Sequence, residues 1–431
     1  MNAESSFAMV ERLRTKLDPI VAEFAETLGT PKLQAVSTVN LICGSSRCGS
    51  SWLFRFLSQS PQLASPRGEQ VPFEKLYLFP TLTSRRSDRL AEVDLQPKLA
   101  EKIWRLLALD LGTGSATEES TAGYDEALQV RLSLQFPRTL HPALVHQELK
   151  ECPSGRRRFG ELLRRLSAKR LIRPEYYDRD PLFHWDGVGC AEGPPDDHVV
   201  LEEPPFIPIL PRRPPPTGTS INLLLKSSLH SYRLPFMVAM FGNARIRIIL
   251  LTRNPAASIN GLMDGWLSPS GYFSYDLSLV DQPLKLPGYS ERYGWGSRWW
   301  KFDLPPTQRD IFSLPIERVC ALQWTSAYEN ILGFLTRNPN VCCLRIRYED
   351  LIQGPQRRLA VLRQVTDFLG VEPMDTGAGL LPDGVIMATH TPQPARWRSR
   401  YRQIVPLLRD TNLGDICEQL GYEPREYEQW S

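Results

Sequence analysis

A strand-like run, a loop of small residues and a helical stretch follow one another between residues 39 and 57. A mostly apolar run from Val39 leads into Gly44, and the loop GSSRCG ends at Gly49. Beyond it, apolar residues recur at the i, i+1, i+4, i+5 spacing of a helix with one buried face: Trp52, Leu53, Phe56 and Leu57. This order predicts an α/β fold in which the loop joins the end of a strand to the start of a helix.

The loop has the composition of an anion-binding site. Backbone N–H groups turn inward in such a loop, and the helix N-terminus adds about half a positive charge. Arg47 supplies a cation that can form two parallel hydrogen bonds to a phosphate or sulfate. The glycine spacing matches a P-loop, but Ser50 stands where a nucleoside triphosphatase needs Lys. An ordinary α/β turn can have the same glycines, so the prediction of a phosphate-binding loop depends mainly on Arg47.

Here the sequence resembles the sulfotransferase family, whose 5′-phosphosulfate loop reads roughly Lys/Arg-x-Gly-Thr/Ser-Thr/Ser-Trp-Leu. The matching residues are Arg47, Gly49, Ser50, Ser51, Trp52 and Leu53. The resemblance implies 3′-phosphoadenosine 5′-phosphosulfate (PAPS) as donor and no metal. It also implies that Ser50 and Ser51 hold the 5′-phosphate and that Trp52 stacks on adenine. Cys48 would be a passive small residue of the loop.

A second segment, residues 245–266, resembles the family's 3′-phosphate site. The apolar, β-branched run from Ile246 to Leu251 is typical of a buried parallel strand, and Arg253 follows its end, where α/β folds bind ligands. In the family a Ser lies eight residues after this Arg, but here that position is Gly261. We expect another donor to compensate, either Ser258 or an arginine of the 396–402 cluster, Arg396 or Arg398.

Two further segments match the family in the same order along the chain. Residues 223–226 form an apolar run ending at Lys226, and the resemblance implies that this Lys stabilises the oxygen that bridges sulfur and the leaving phosphate. Residues 341–351 resemble the family's strand ending in Tyr-Glu-Asp/Glu-Leu, which makes Tyr348 the candidate for contacting adenine. The resemblance spans roughly residues 38–80 and 220–425.

The residue that takes the acceptor's proton has two candidates. Cytosolic members of the family use a His two residues after the strand-end Lys, a position held here by Ser228, with His230 two residues further on. Related tyrosyl-protein sulfotransferases use a Glu after the first helix, which points to Glu69 or Glu74. We favour His230 narrowly, because an imidazole is well matched to neutral pH and a Glu would need its pKa raised by burial.

The predicted fold is a P-loop-like, three-layer α/β domain with a central parallel sheet and helices on both faces. Strands are expected near 38–43, 222–226, 246–251 and 341–346. One domain should cover 1–431, with an N-terminal helical segment at 1–37 and a helical and irregular insertion or lid at 81–220. Within that insertion lie an arginine cluster at 156–158 and a Pro-rich stretch at 186–220.

Composition supports a soluble enzyme. The net charge of +3 argues against a nucleic-acid partner, since nucleic-acid-binding domains are usually strongly basic. There is no stretch of 18 apolar residues and no signal-peptide core, so we expect no membrane span and a cytoplasmic protein. The eight cysteines and six histidines show neither a disulfide framework nor metal-ligand spacing.

The predicted reaction moves a sulfuryl group from PAPS to a hydroxyl or amine of an acceptor. The acceptor is expected to be a small molecule, a lipid-like metabolite or a carrier-bound group. Aromatic residues crowd positions 266–302 and could line an acceptor pocket or simply pack under a loop. Two alternatives remain: a P-loop nucleotide kinase, which needs a Lys after Gly49, and a non-catalytic nucleotide-binding protein. A binding protein would not need cations at Arg47, Lys226 and Arg253 together.

Overall fold

The computed structural model describes residues 3–111, 121, 123–155, 157–177, 193–195, 198–204, 206, 220–306, 309–373 and 389–430. Arg156 of the arginine cluster lies outside these residues, as does much of the Pro-rich stretch predicted at 186–220.

Four parallel strands form the central sheet in the order β2-β1-β3-β6. Their bounds are β1 Val36–Cys43, β2 Ile221–Lys226, β3 Arg245–Thr252 and β6 Cys342–Arg347. The four predicted strands are confirmed to within two residues. Since β1 lies between β2 and β3, its loop occupies the middle of the sheet's carboxyl edge.

Both faces of the sheet are buried, which explains the nearly continuous apolar runs of its inner strands. Successive residues point to opposite faces: Ile248 and Leu250 belong to one core, Ile249 and Leu251 to the other. All four are fully buried. The larger core includes Val39 and Leu41 of β1 and residues from most of the described helices.

Helices cover each face. The first face carries α1 Ala3–Thr27, α3 Val71–Arg85, α4 Pro97–Asp110, α8 Leu234–Met240, α9 Pro255–Leu267, α10 Ile316–Arg337, α13 Tyr401–Ile404 and α14 Thr411–Gln419. The second face carries α2 Ser50–Leu57, α11 Tyr348–Ile352 and α12 Pro355–Leu369. The predicted three-layer α/β fold with a central parallel sheet is confirmed.

Three further helices have a core of their own. They are α5 Tyr124–Gln135, α6 Pro142–Lys150 and α7 Arg158–Ala168. Tyr124, Val145 and Phe159, one from each helix, are fully buried in this cluster together with Tyr176 and Phe206. The division into one domain with an insertion at 81–220 stays a prediction.

The aromatic segment folds around a small antiparallel pair, β4 Phe273–Asp276 and β5 Trp299–Lys301. Trp266 and Trp300 meet edge to face, with ring centroids 4.9 Å apart, and both are fully buried. Tyr272 and Phe302 stack at 4.6 Å, and both face the cavity described below. The segment therefore does both things that its sequence allowed, packing and lining a cavity. None of the described helices is both long and apolar enough to cross a membrane.

Candidate active site

Three segments that the sequence singled out meet at the carboxyl edge of the sheet. The loop after β1 lies centrally, Lys226 ends the neighbouring β2, and Arg253 follows β3 on the other side. They surround a cavity of about 540 Å³, within the range for small-molecule sites. The predicted site residues that line it are Arg47, Gly49, Ser50, Ser51, Trp52, Glu69, Lys226, Arg253, Gly261, Tyr348 and Arg396.

The loop backbone needs its glycines. Gly49 has φ +95°, and a Cβ there would lie 2.3 Å from the ring of Tyr348. At Gly44 a Cβ would lie 2.4 Å from the Leu251 carbonyl oxygen. Arg47 also adopts a left-handed backbone, with φ 69°. A methyl group added at either glycine would therefore clash with the Tyr348 ring or the strand and displace the loop.

Arg47, within the loop, and Arg253, after β3, each have contacts that hold their side chains at the loop. Arg47 donates from Nη1 to the Tyr272 hydroxyl at 3.0 Å. Arg253 donates from Nη1 to the Arg47 carbonyl oxygen at 2.9 Å, and its guanidinium lies 4.7 Å from the centre of the Tyr348 ring. Two cations therefore lie near one short loop, an arrangement that suits a ligand with two or more negative charges.

Gly261 lines the cavity directly beneath the loop cation. A Cβ at this position would lie 3.3 Å from the Cβ of Arg47 and 3.8 Å from its Nε. The side chain of Arg47 therefore occupies the space into which a residue at 261 would extend. Ser258, the alternative donor, is fully buried and is not among the cavity-lining residues.

Lys226 and Glu69 form an ion pair on the cavity wall. The Lys226 side chain is 7% exposed, and that of Glu69 is 29% exposed. Burial alone would raise the pKa of Glu69, but the Lys226 ammonium, together with hydrogen bonds from Lys226 and Ser227, lowers it below the usual value. Glu69 is thus a carboxylate at neutral pH, beside the cation that the sequence singled out.

The structure places His230 differently from the favoured expectation. It lies in a 3₁₀ turn, Ser228–Tyr232, is fully buried, and contacts Gln70 through Nε2. Burial is the main reason that its pKa falls to about 4. The cavity is lined by its neighbours Ser228 and Leu229 instead. The second carboxylate candidate, Glu74, is fully buried in an ion pair with Arg233.

Cys48 is also fully buried, and burial raises the pKa of its thiol above the ordinary value. A protonated, buried thiol is a poor nucleophile, and the passive role of Cys48 in the loop stays a prediction. Among the described residues, no group of three or more His, Cys, Asp or Glu side chains could hold a metal ion.

Asp264, on α9, holds the segment that follows residue 389 against the cavity. Arg396 forms an ion pair with it, Arg400 donates from Nη1 at 2.7 Å, and His390 Nε2 lies 3.6 Å from its carboxylate. Arg396 and His390 line the cavity. Arg398, by contrast, is exposed and donates to the Glu428 carbonyl oxygen at 2.5 Å. Of the two arginines proposed for the 3′-phosphate, the structure brings only Arg396 to the cavity.

Several residues of the site had no signal in the sequence. Asp303 accepts hydrogen bonds from Ser46 of the loop at 2.7 Å and from the Tyr232 hydroxyl at 2.8 Å. Burial is the main reason that its pKa rises to about 6. Two glutamates, Glu202 and Glu203, line the cavity next to Pro204. A pair of acids before two prolines is an ordinary loop pattern, so only the fold reveals where they lie.

The residues present fit an adenosine bisphosphate. The glycine cradle, the two loop serines and the cations Arg47, Arg253 and Arg396 suit phosphate groups. Trp52 and Tyr348 present aromatic rings to the same cavity and suit a base. Ile352, nearly half exposed, adds an apolar contact beside them.

Searches against known protein families and against curated proteins find no match. Among solved structures, the chain is similar to the sulfotransferase domain from the curacin biosynthetic pathway, with a TM-score of 0.39 and 16% identity over 90% of this chain and 99% of that domain. It is also similar to the sulfotransferase domain from the Synechococcus PCC 7002 olefin synthase, with a TM-score of 0.39 and 16% identity over 90% of this chain and 96% of that one. Both similarities are distant, so the assignment of a function depends on the geometry of the site itself.

Proposed function

We propose that this protein is a PAPS-dependent sulfotransferase that moves a sulfuryl group to a hydroxyl or amine of an acceptor. The observation that carries this proposal is the meeting of Arg47, Lys226 and Arg253 around one glycine loop and one cavity. Three cations from three adjacent strand ends suit a donor with charge at both ends and at the group that is transferred. Because the net charge of the chain is only +3, this local concentration of cations does not simply follow from a basic composition.

Each residue has a role that follows from its position. When bound, PAPS supplies a sulfuryl group that is already activated. The loop backbone, Ser50 and Ser51 hold the 5′-phosphate, and Trp52 and Tyr348 hold adenine. Arg253, with Arg396, binds the 3′-phosphate. Arg47 and Lys226 stabilise the negative charge that develops on the leaving oxygen, and such electrostatic positioning is the protein's main contribution.

Glu69 is our candidate for the group that takes the acceptor's proton. It lies on the cavity wall next to Lys226. Its pKa is lowered rather than raised, so Glu69 is ionised but weakly basic, and its position in the cavity, not its basicity, supports this role. His230 lies behind Ser228 and Leu229, where an acceptor in the cavity does not reach it. The geometry therefore favours Glu69 over the imidazole that the sequence favoured.

A P-loop kinase is the nearest alternative, and two observations weigh against it. The residue after Gly49 is Ser50, and β3, which adjoins β1, ends at Thr252 and is followed by Arg253. A kinase needs a Lys at the first position and commonly an Asp after such a strand, to hold Mg²⁺. The loop cation Arg47 does not replace a metal ligand.

The first test is the selectivity for the 3′-phosphate. Arg253→Ala should weaken adenosine 3′,5′-bisphosphate by at least about tenfold, because charged hydrogen bonds to the phosphate are lost. Adenosine 5′-phosphate, which lacks that group, should be affected much less. Isothermal titration of both nucleotides and of ATP gives the comparison. Arg245→Ala, at the exposed opposite end of the same strand, is the matched control.

An equal loss of affinity for both nucleotides would show that Arg253 does not bind the 3′-phosphate. Tighter binding of ATP than of adenosine 3′,5′-bisphosphate by the unaltered protein would favour the kinase.

The second test concerns the proton acceptor. Glu69→Gln should lower the turnover number by at least about a hundredfold at saturating donor, because a general base typically contributes that much. The dissociation constant of adenosine 3′,5′-bisphosphate should stay near its original value. His230→Gln should lower thermal stability, since the residue is fully buried, yet keep most of the turnover of the folded protein. A Glu69→Gln variant with normal turnover would exclude Glu69 as the base.

A further inference from the structure

Three glutamates from two separate segments share one part of the cavity wall. Arg131 donates from Nη1 both to the Glu69 carbonyl oxygen at 2.6 Å and to the Glu202 carboxylate at 3.1 Å. Glu203 follows Glu202 and also lines the cavity. The remaining residues of this part of the wall are apolar: Val71, Pro72, Leu201, Pro204 and Phe206.

The cations that neutralise Glu202 and Glu203 lie behind them. Arg131 is 1% exposed and Lys75 is fully buried, and neither is among the residues lining the cavity. Each glutamate engages its cation through Oε1, at 3.1 Å for Arg131 and 3.3 Å for Lys75. Glu203, whose side chain is 25% exposed, therefore offers its carboxylate to the cavity, whereas the Oε2 atom of Glu202 is buried. The positive partners of both acids face the protein interior.

The two parts of the cavity thus differ in charge. Around the glycine loop the lining cations are Arg47, Arg253 and Arg396, which suit an anionic donor. On the wall beyond Lys226 the lining charges are Glu69, Glu202 and Glu203. A carboxylate or phosphate on the acceptor would meet like charges there, at a cost that a buried site does not screen.

The pKa values of Glu202 and Glu203 are consistent with their position in the cavity wall. Burial raises the pKa of both Glu202 and Glu203 to about 7, although Arg131 and Lys75 oppose the shift. Glu69 contributes to the shift of both through its own negative charge. A positive charge arriving in the cavity would favour their ionised forms and would itself be stabilised.

We propose that the acceptor is an amino alcohol or an aminoalkyl phenol, with an apolar body against this wall, its ammonium group at Glu203, and its hydroxyl at Glu69 and Lys226. This inference rests on the proposed sulfotransferase function and adds the class of acceptor to it. Glu203 is the more accessible partner, with 25% of its side chain exposed against 9% for Glu202.

The test uses three probes that share a 4-hydroxyphenylethyl body and differ in its terminal substituent: tyramine carries an ammonium, 4-ethylphenol a hydrogen and 3-(4-hydroxyphenyl)propanoate a carboxylate. Each is titrated into the protein saturated with adenosine 3′,5′-bisphosphate. We expect tyramine to bind about tenfold more tightly than 4-ethylphenol, as for one charge-assisted hydrogen bond, and the propanoate to bind most weakly. Glu203→Gln should remove the preference for tyramine and leave 4-ethylphenol unaffected. Glu101→Gln, an exposed change on α4, is the matched control.

The outcomes distinguish a failure of this inference from a failure of the proposed sulfotransferase function. Failure of adenosine 3′,5′-bisphosphate to bind would overturn the proposed function before any probe is added. If the bisphosphate binds, three results would overturn only the acceptor class. These are equal affinity for tyramine and 4-ethylphenol, tighter binding of the propanoate, and no binding of any probe. A tyramine preference that survives in Glu203→Gln would overturn the role of Glu203.

Discussion

Lys226→Met should lower the rate of sulfuryl transfer by about a hundredfold to a thousandfold, the usual effect of removing one group that stabilises transition-state charge. The affinity for adenosine 3′,5′-bisphosphate should fall by much less, because the loop backbone and Arg47 still hold the phosphate. Single-turnover rates and isothermal titration measure the two effects separately. Lys226 is 7% exposed at the end of β2, so water cannot take its place effectively.

A double-mutant comparison distinguishes catalysis by Lys226 from simple pairing with Glu69. If Lys226 acts on the leaving oxygen, Lys226→Met should still slow the reaction when it is added to Glu69→Gln. If its only task is to neutralise Glu69, the second change should have no effect. The latter result would reduce Lys226 to a structural partner and would remove one of the three cations on which the proposed function depends.

Arg233→Met should give the largest loss of stability, about 3–5 kcal/mol in the free energy of unfolding. Arg233, Glu74 and Asp88 are all fully buried, and the guanidinium donates from Nη1 to Glu74 at 2.5 Å and from Nη2 to Asp88 at 2.9 Å. Removing the guanidinium leaves two buried carboxylates without their positively charged partner. Urea unfolding, followed by tryptophan fluorescence, measures the change.

The control is an exposed ion pair of the same chemistry. Arg357 donates from Nε to Asp350 at 3.0 Å on the protein surface, where solvent screens the pair. Arg357→Met should leave the urea midpoint unchanged. A similar, small change for both variants would mean that the buried cluster of Arg233, Glu74 and Asp88 contributes no more to stability than a surface pair.

The sheet and the position of its loop could be predicted because each depends on a short stretch of sequence. The run Ile248–Leu251 is apolar on both faces, and that pattern indicates a buried parallel strand without reference to the rest of the chain. Parallel strands end at the same edge, so Lys226 and Arg253 had to approach the loop once their strands were adjacent.

The pairing of side chains could not be predicted in the same way. Glu69 and Lys226 are 157 residues apart in the chain, and no local pattern links a loop carboxylate to a particular strand end. His230 was favoured for its chemistry, but the 3₁₀ turn after β2 directs it into the interior. Asp264 is a single acid in a buried helix, and no local pattern shows that it anchors the segment that contains Arg396.

The backbone of Arg47 has a consequence for how this protein could change. A left-handed conformation costs a non-glycine residue about 1–2 kcal/mol, whereas glycine adopts it freely. Substitution by glycine would thus relax the loop and at the same time remove its cation. The backbone conformation at position 47 therefore favours glycine, whereas anion binding favours arginine. Selection for turnover would be expected to keep Arg47 in spite of the cost of its backbone conformation.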